Sequence, residues 1–303
     1  MLIFKRIALG LLALVVIFSI IFVVLLSPKD SQASDKTDFV VKEGQKSADI
    51  SQALESQSVI KNGFAFYLYL KLIHGKILPG TYELSASQSG SDIAGLLATG
   101  HFKTAKVTFI EGWRASQMED YLVKEKKLPQ FVGFTVKAEG YEGYLFPDTY
   151  EIKVDTTSDQ LITLMRDTFT ARTKDLRITP ETVILASIVE REAHTDEERP
   201  LIAGVYANRV EQGIKLEADP TIQYAKGNWA SVTLAEYKSV ISPYNTYINT
   251  GWPPGPICSP GLKSFQAAAN PAAHDYLYFF TAKGQTYYSK TYAEHQAKVR
   301  QYF

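Results

Sequence analysis

One carboxylate in this sequence stands where chemistry is possible. The stretch Thr179–Pro220 reads as two helices joined by a polar turn and stopped by Asp219-Pro220. The first helix carries Val183, Ile184, Leu185, Ile188 and Val189 and has almost no polar face, so it belongs in a core. Into that apolar run the sequence places Glu190. Desolvation by the flanking Ile and Val side chains would disfavour its charged form and leave a proton to give to a departing oxygen. The other reading is a helix end turning into solvent, with Glu190 or Glu192 paired to Arg191, Arg199 or Arg209 in an ordinary charged last turn. These residues alone leave both readings open.

Other constellations are weaker. Ser187 and His194 lack a GxSxG elbow, and a mid-helix serine usually bonds back to a carbonyl. Cys258, with His274 elsewhere in the chain, is a lone thiol in a proline-rich loop, an inert setting. Glu190 and His194 have an i, i+4 spacing but no third ligand, and no CxxC or HExxH pattern occurs, so neither metal nor cofactor is expected. Glycoside cleavage asks for acids alone. Ordinary glycosidases use two carboxylates about 5 to 10 Å apart, whereas a lytic variant needs one, because the sugar supplies the attacking hydroxyl.

The elements that must position such a group follow from pattern. Thr179 is the N-cap of the first helix, Pro180 its first residue and Glu181 a charge against the positive end of the dipole. The 303 residues suffice for two modest domains. With 32 basic and 32 acidic residues the chain lacks the cationic surplus that phosphate contacts require, which argues against nucleic acid. Eighteen tyrosines and sixteen phenylalanines suit a sugar groove and an ordinary core equally. A single cysteine excludes an internal disulfide framework.

Ile7–Leu26 is uncharged and follows Lys5-Arg6. At about 1.5 Å per residue it spans roughly 30 Å, a bilayer core, with the N-terminus cytoplasmic and the rest across the membrane. An uncleaved anchor is favoured over a signal peptide cut after Ser31-Gln32-Ala33, because the run exceeds a typical signal core. Residues 1–27 are thus the cytoplasmic start and anchor, 28–38 a linker, 39–100 a small module and 101–303 a larger domain. The module reads as strand 39–41, helices from Ser47 and over Gly63–Ile73, a strand within Lys76–Leu84, and a helix Ser91–Ala98 stopped by Gly100. In the larger domain, Lys106–Ile110 alternates as a strand and a helix covers Gln117–Glu125 behind Ser116. Gly140–Ile152 is a tyrosine-rich strand and turn, and Ser158–Ala171 an amphipathic helix. Ser242–Tyr247 and Gly251–Gly261 are long loops, the second rigid with proline and suited to walling a site. A helix Ser264–Ala269, a buried strand Tyr276–Phe280, its partner Gln285–Ser289 and a helix Tyr292–Val299 close the chain. The fold class is α+β.

Several ordered motifs carry a resemblance. Gly143–Tyr150 (GYLFPDTY), Ala186–Glu192 (ASIVERE), Asn208-Arg209, Leu216–Tyr224 (LEADPTIQY), Ser242–Tyr247 (SPYNTY) and Gly251–Ile257 (GWPPGPI) together look like the MltG or YceG-like endolytic murein transglycosylases. The resemblance runs from about Phe39 to the C-terminus and includes a single N-terminal anchor. The strand, two short helices and returning strand of 39–100 separately resemble a LysM-like glycan-binding unit, with a structural spacer as the other reading, and the family resemblance implies a mixed α+β catalytic domain that cuts peptidoglycan strands at the β-1,4 bond between N-acetylmuramic acid and N-acetylglucosamine and leaves a 1,6-anhydro end. Glu190 would take the position of the catalytic glutamate, and Asp219, Thr221, Tyr244, Asn245 and Tyr247 those of glycan-binding residues. Glycan strands are the implied substrate, peptidoglycan synthases are candidate partners, and the catalytic domain would lie outside the cytoplasm. The sequence departs from the family's loop at Trp252, where leucine is expected. The rival readings are a glycan-binding scaffold of the cell envelope and a hydrolytic muramidase, which would leave a reducing end.

Overall fold

The structure, a computed structural model, describes residues 2–302 and is mixed α+β. Its chain divides into two compact units, residues 1–105 with 151–155, and residues 106–150 with 156–303.

The first unit opens with helix α1 (Leu2–Leu26). Its segment Phe4–Leu26 has a mean hydropathy of 3.3 and is long and apolar enough to cross a membrane. After it come β1 (Thr37–Val41), α2 (Ser47–Ser56), α3 (Gly63–Leu72), β2 (Gly80–Leu84) and α4 (Gly90–Thr99). Side chains end these helices as local chemistry predicts. Asn62 accepts from the Ala65 N–H, Ser89 and Asp92 form a capping box, and Gly100 closes α4 in the left-handed conformation. β1 and β2 pair antiparallel with Phe39 opposite Tyr82, and both side chains enter a core with Ile50, Leu54, Phe66 and Ile93. The Tyr82 hydroxyl, buried there, donates to the Leu78 carbonyl at 2.7 Å.

In the second unit the helices are α5 (Ala115–Asp120), α6 (Phe134–Lys137), α7 (Ser158–Thr173), α8 (Pro180–Glu192), α9 (Glu198–Glu211), α10 (Asp219–Ala225), α11 (Glu236–Ser239), α12 (Leu262–Ala269) and α13 (Tyr292–Val299). β5 (Tyr278–Ala282) and β6 (Gln285–Ser289) form an antiparallel hairpin. The division between the units falls within β3 (Thr104–Thr108) and β4 (Thr149–Lys153). Helix α8 is the centre of the core: Val183 through Val189 are all buried, against side chains of α9 and α12 such as Ala203, Tyr206 and Phe265. Its start is as read from sequence, with the Thr179 hydroxyl accepting from the Thr182 N–H and Pro180 first in the helix.

Three local readings are corrected. Asp219-Pro220 opens α10 instead of stopping a segment, since a first-turn proline lacks only an N–H that needs no partner. The helix expected over Gln117–Glu125 starts at Ala115 and changes at Tyr121 into a π turn that runs to Glu125. The strand expected over Tyr276–Phe280 begins at Tyr278 and is only half-buried, because its aromatic side chains line a cavity.

Candidate active site

Helix geometry separates the two glutamates at the end of α8. Residues i and i+2 lie about 200° apart around an α-helix, so Glu190 and Glu192 face opposite ways. The Glu190 side chain is only 7 % exposed. Its carboxylate accepts from the Gly261 N–H at 2.9 Å and the Ser264 hydroxyl at 2.8 Å, and an Arg199 nitrogen stands 3.5 Å away. Glu111 lies against the same glycine, where a Cβ at 261 would meet its carboxylate. Burial, and then the charge of Glu190, raise the Glu111 pKa above its ordinary value. The surroundings of Glu190 are therefore hydrogen-bonding and charged, not the apolar pocket expected from its neighbours in sequence. Its carboxylate ties α8 to the start of α12.

Glu192 faces a cavity of about 510 Å³. The wall is built by distant segments: Tyr206 and Arg209 on α9, Asp219 opening α10, Tyr237 on α11, Tyr247 from the following loop, and β5. The Tyr206 hydroxyl donates to Glu192 Oε1 at 3.0 Å. Burial, with the charge of Asp219 adding to it, pushes the Glu192 pKa up to about 7, against the hydrogen bond from Tyr206 and the charge of Arg209. Such a carboxyl holds and releases a proton near neutrality, as a general acid must. Glu192 is the titratable residue of this cavity that the sequence pattern did not single out. It stands three and four residues after the buried Val189 and Ile188, but Glu190 stands likewise after the buried Ser187 and Ala186, so the helix pattern does not separate the two.

The other expected residues separate into contacts and framework. Asp219 accepts from the Tyr247 hydroxyl at 2.6 Å, and the rings of Tyr247 and Tyr237 stack with centroids 4.0 Å apart. Both Asp219 and Tyr247 line the Glu192 cavity. Burial and the bond to Asp219 hold the Tyr247 phenol above its ordinary pKa, so it stays a donor. Thr221 and Asn245, expected among the glycan contacts, are both 0 % exposed. Thr221 donates to the Ala218 carbonyl at 2.7 Å, and the Asn245 amide donates to the Tyr237 and Val240 carbonyls at 3.1 and 2.8 Å. Asn245 also accepts from the Tyr247 N–H at 2.9 Å. Both side chains are buried in the framework that presents Tyr247, Thr221 from α10 and Asn245 from the loop itself. Tyr244 turns the other way, into a second cavity of about 650 Å³.

Arg209 fixes the far wall. Its guanidinium donates to the carbonyls of Leu277, Lys215 and Leu216 at 2.6, 2.9 and 2.8 Å, joining α9 to the segments before β5 and α10. Ser187 and Cys258 have structural places. The serine hydroxyl donates to the Ile184 carbonyl at 2.7 Å and accepts from the Ile257 N–H at 3.0 Å, and the buried thiol bonds the Ser187 carbonyl.

The profile of the YceG-like family matches residues 39–301. A Bacillus subtilis (strain 168) protein named endolytic murein transglycosylase is 30% identical over 316 residues, covering 92% of this chain and 88% of that protein. The protein of that name in Streptococcus pneumoniae D39 is also 30% identical, over 332 residues and 91% of this chain. The chain spans 60% of the length of that pneumococcal relative. Among solved structures, a yceG-like protein of Listeria monocytogenes superposes with a TM-score of 0.55 at 32% identity, over 87% of this chain and 99% of that one.

Proposed function

This chain belongs to the YceG-like family, and we propose that it is an endolytic murein transglycosylase whose acid is Glu192. Its substrate is the peptidoglycan glycan strand, cut at the β-1,4 bond between N-acetylmuramic acid and N-acetylglucosamine. The observation that carries the assignment is a carboxyl of pKa about 7 in a cavity that also holds Asp219 and Tyr247. Glu192 gives its proton to the glycosidic oxygen as the bond to C1 breaks. The resulting carboxylate then takes the proton of the muramoyl C6 hydroxyl as that oxygen closes on C1. No water is consumed and the product is a 1,6-anhydro sugar. The hydrogen bond from Tyr206 orients the carboxyl, and the negative charge of Asp219 favours the positive charge that develops on the sugar ring. Glu190, assigned to this role from its place in the motif, instead supports the helix end on which Glu192 sits.

The remaining parts fit the same reading. Residues 1–27 anchor the chain with the N-terminus cytoplasmic, after Lys5-Arg6, and put the catalytic domain outside the cytoplasm. The β-α-α-β order of residues 37–84, with its antiparallel strand pair, supports a LysM-like glycan-holding module. A tethered cutter acts on strands as they emerge at the membrane face, which makes the synthases that extend them its natural neighbours.

The test uses the full chain in detergent on un-crosslinked strands, with products weighed by mass spectrometry. Fragments lighter by one water than hydrolytic products support the reading. Reducing ends would make the protein a muramidase, and binding without cutting would make it a scaffold.

A further inference from the structure

Helix α3 of the first unit has an apolar face that the fold leaves open. Its inner side, with Gly63, Phe66 and Leu70, is buried in the core. On the outer side Phe64, Leu68 and Leu72 recur every four residues and make one stripe along the helix. Phe64 is 69% exposed and Leu72 71%, with Leu68 half-buried between them. A helix that is apolar on both sides ordinarily sits deep in a core or in lipid. The position of α3 says which. Helix α1 packs on α3, and the apolar segment Phe4–Leu26 ends against the core of the unit. A Cβ at Gly90 would stand 3.0 Å from Leu26 Cδ2 and 3.4 Å from Phe66 Cδ2. Ser27, the next residue, accepts from the Lys61 ammonium at 2.6 Å, and the Asp30 N–H donates to the Ala86 carbonyl at 3.0 Å. The chain therefore has no slack between the apolar helix and the unit that follows. The 23 residues of that segment extend about 34 Å, against roughly 30 Å of hydrocarbon, so Ser27 comes at the lipid surface. The outer stripe starts three residues after Lys61, and α3 with its ten residues is about 15 Å long, so all of it lies near the point where α1 leaves the lipid. Tyr67 and Lys71 border the stripe, with the ammonium 5.6 Å from the ring centre. Both have an apolar body and a polar tip, as residues at headgroup depth do.

We propose that the outer face of α3 lies in the boundary between lipid headgroups and acyl chains beside the anchor, as a second, in-plane attachment of the first unit to the bilayer. The proposal rests on the reading of α1 as a membrane span and is independent of which carboxyl acts in the second unit. Phe64, Leu68 and Leu72 enter the upper acyl region, Tyr67 sits at the boundary, and the Lys71 ammonium reaches the lipid phosphates. With the span and this helix both held, the first unit keeps one height and one tilt over the lipid, which a span alone does not impose. A second copy of the chain is the other apolar surface that would cover the stripe, and the experiment separates the two.

The experiment uses the full chain in vesicles of phosphatidylcholine and phosphatidylglycerol in equal amounts. The chain's single cysteine, Cys258, is buried, so a polarity-sensitive maleimide fluorophore attaches to a thiol introduced by Phe64→Cys, Leu68→Cys or Leu72→Cys, one at a time. At each position the emission is expected to shift to the blue, to be quenched by lipids carrying a nitroxide on the upper acyl carbons, and to be protected from iodide in the water. Phe64→Glu together with Leu72→Glu, at side chains exposed enough to accept charge without unfolding the unit, should remove the lipid quenching at position 68 and admit iodide. Emission that iodide quenches and lipid nitroxides do not, at all three positions, would overturn the proposal, as would lipid quenching at 68 that survives both glutamates. A blue shift without lipid quenching, lost when the protein is diluted into more lipid, would assign the stripe to a second copy and overturn it too. Release of the chain from the vesicles by alkaline carbonate would remove the span reading and the proposal together, whereas retention with water-exposed probes would overturn the proposal alone.

Discussion

Replacing Glu192 with glutamine should stabilise the protein at neutral and alkaline pH while removing its activity. The native carboxyl titrates near 7 and the unfolded one near its ordinary 4.5. Between these values the unfolded chain has released its proton and the native chain keeps it, so the native state binds more protons. Stability attributable to this group therefore falls as pH rises, by about 1.4 kcal/mol per pH unit and roughly 3 kcal/mol over the window. Below about pH 4.5 the penalty is absent, because both states are protonated, and above about pH 7 it is complete. Glutamine carries no such penalty. The assay is urea denaturation of parent and variant from pH 4.5 to 8, followed by tryptophan fluorescence. Trp113, Trp229 and Trp252, the chain's three tryptophans, all lie in the second unit, so the signal reports the unit that holds the site. The stability advantage of the variant over the parent should grow by roughly 3 kcal/mol across that range. An advantage independent of pH, or one that shrinks as pH rises, would refute the reasoning.

Three further outcomes follow from named contacts. Tyr206→Phe removes the donor to Glu192, so the carboxyl pKa should rise further and the pH–rate profile move to higher pH, with kcat down about tenfold. Gly143→Ala should cost about 1–3 kcal/mol in the same denaturation assay, because φ is +79° there and a Cβ would stand 2.6 Å from Pro256 Cβ. Thr221→Val deletes a buried hydroxyl that bonds the Ala218 carbonyl and pairs with the Thr246 hydroxyl. It should lower stability by about 1–3 kcal/mol, and a purified folded sample should keep its KM, since the side chain is fully buried and bonded within the fold.

What sequence could reveal here depended on distance along the chain. The start of α8 was legible because Thr179, Pro180 and Thr182 are neighbours and their hydrogen bonds are local. The module's element order was legible for the same reason, each helix having its stop within a few residues, as Gly100 stops α4. Which glutamate faces the cavity was not. Helix α8 is apolar almost all round, so its own pattern does not separate one side from the other. The cavity beside Glu192 is made by Tyr206, Asp219, Tyr247 and β5, which only the fold brings together. The same argument explains Thr221 and Asn245, whose motif positions do not reveal whether a side chain points at a ligand or at the carbonyls of its own loop. Asp219-Pro220 was misread because the pair both ends segments and opens helices; its place in α10 depends on Thr221 and Thr246 pinning the helix start.

The central claim is that Glu192, not Glu190, delivers the proton. The direct test measures release of 1,6-anhydro products from uncrosslinked strands by the parent, Glu192→Gln and Glu190→Gln proteins, each shown by fluorescence to be folded. The account predicts that Glu192→Gln loses cutting by a factor of about 10² to 10⁴, the usual contribution of a positioned acid, while Glu190→Gln retains measurable cutting with lower stability. Full activity in Glu192→Gln, together with loss of all cutting in a folded Glu190→Gln, would contradict it.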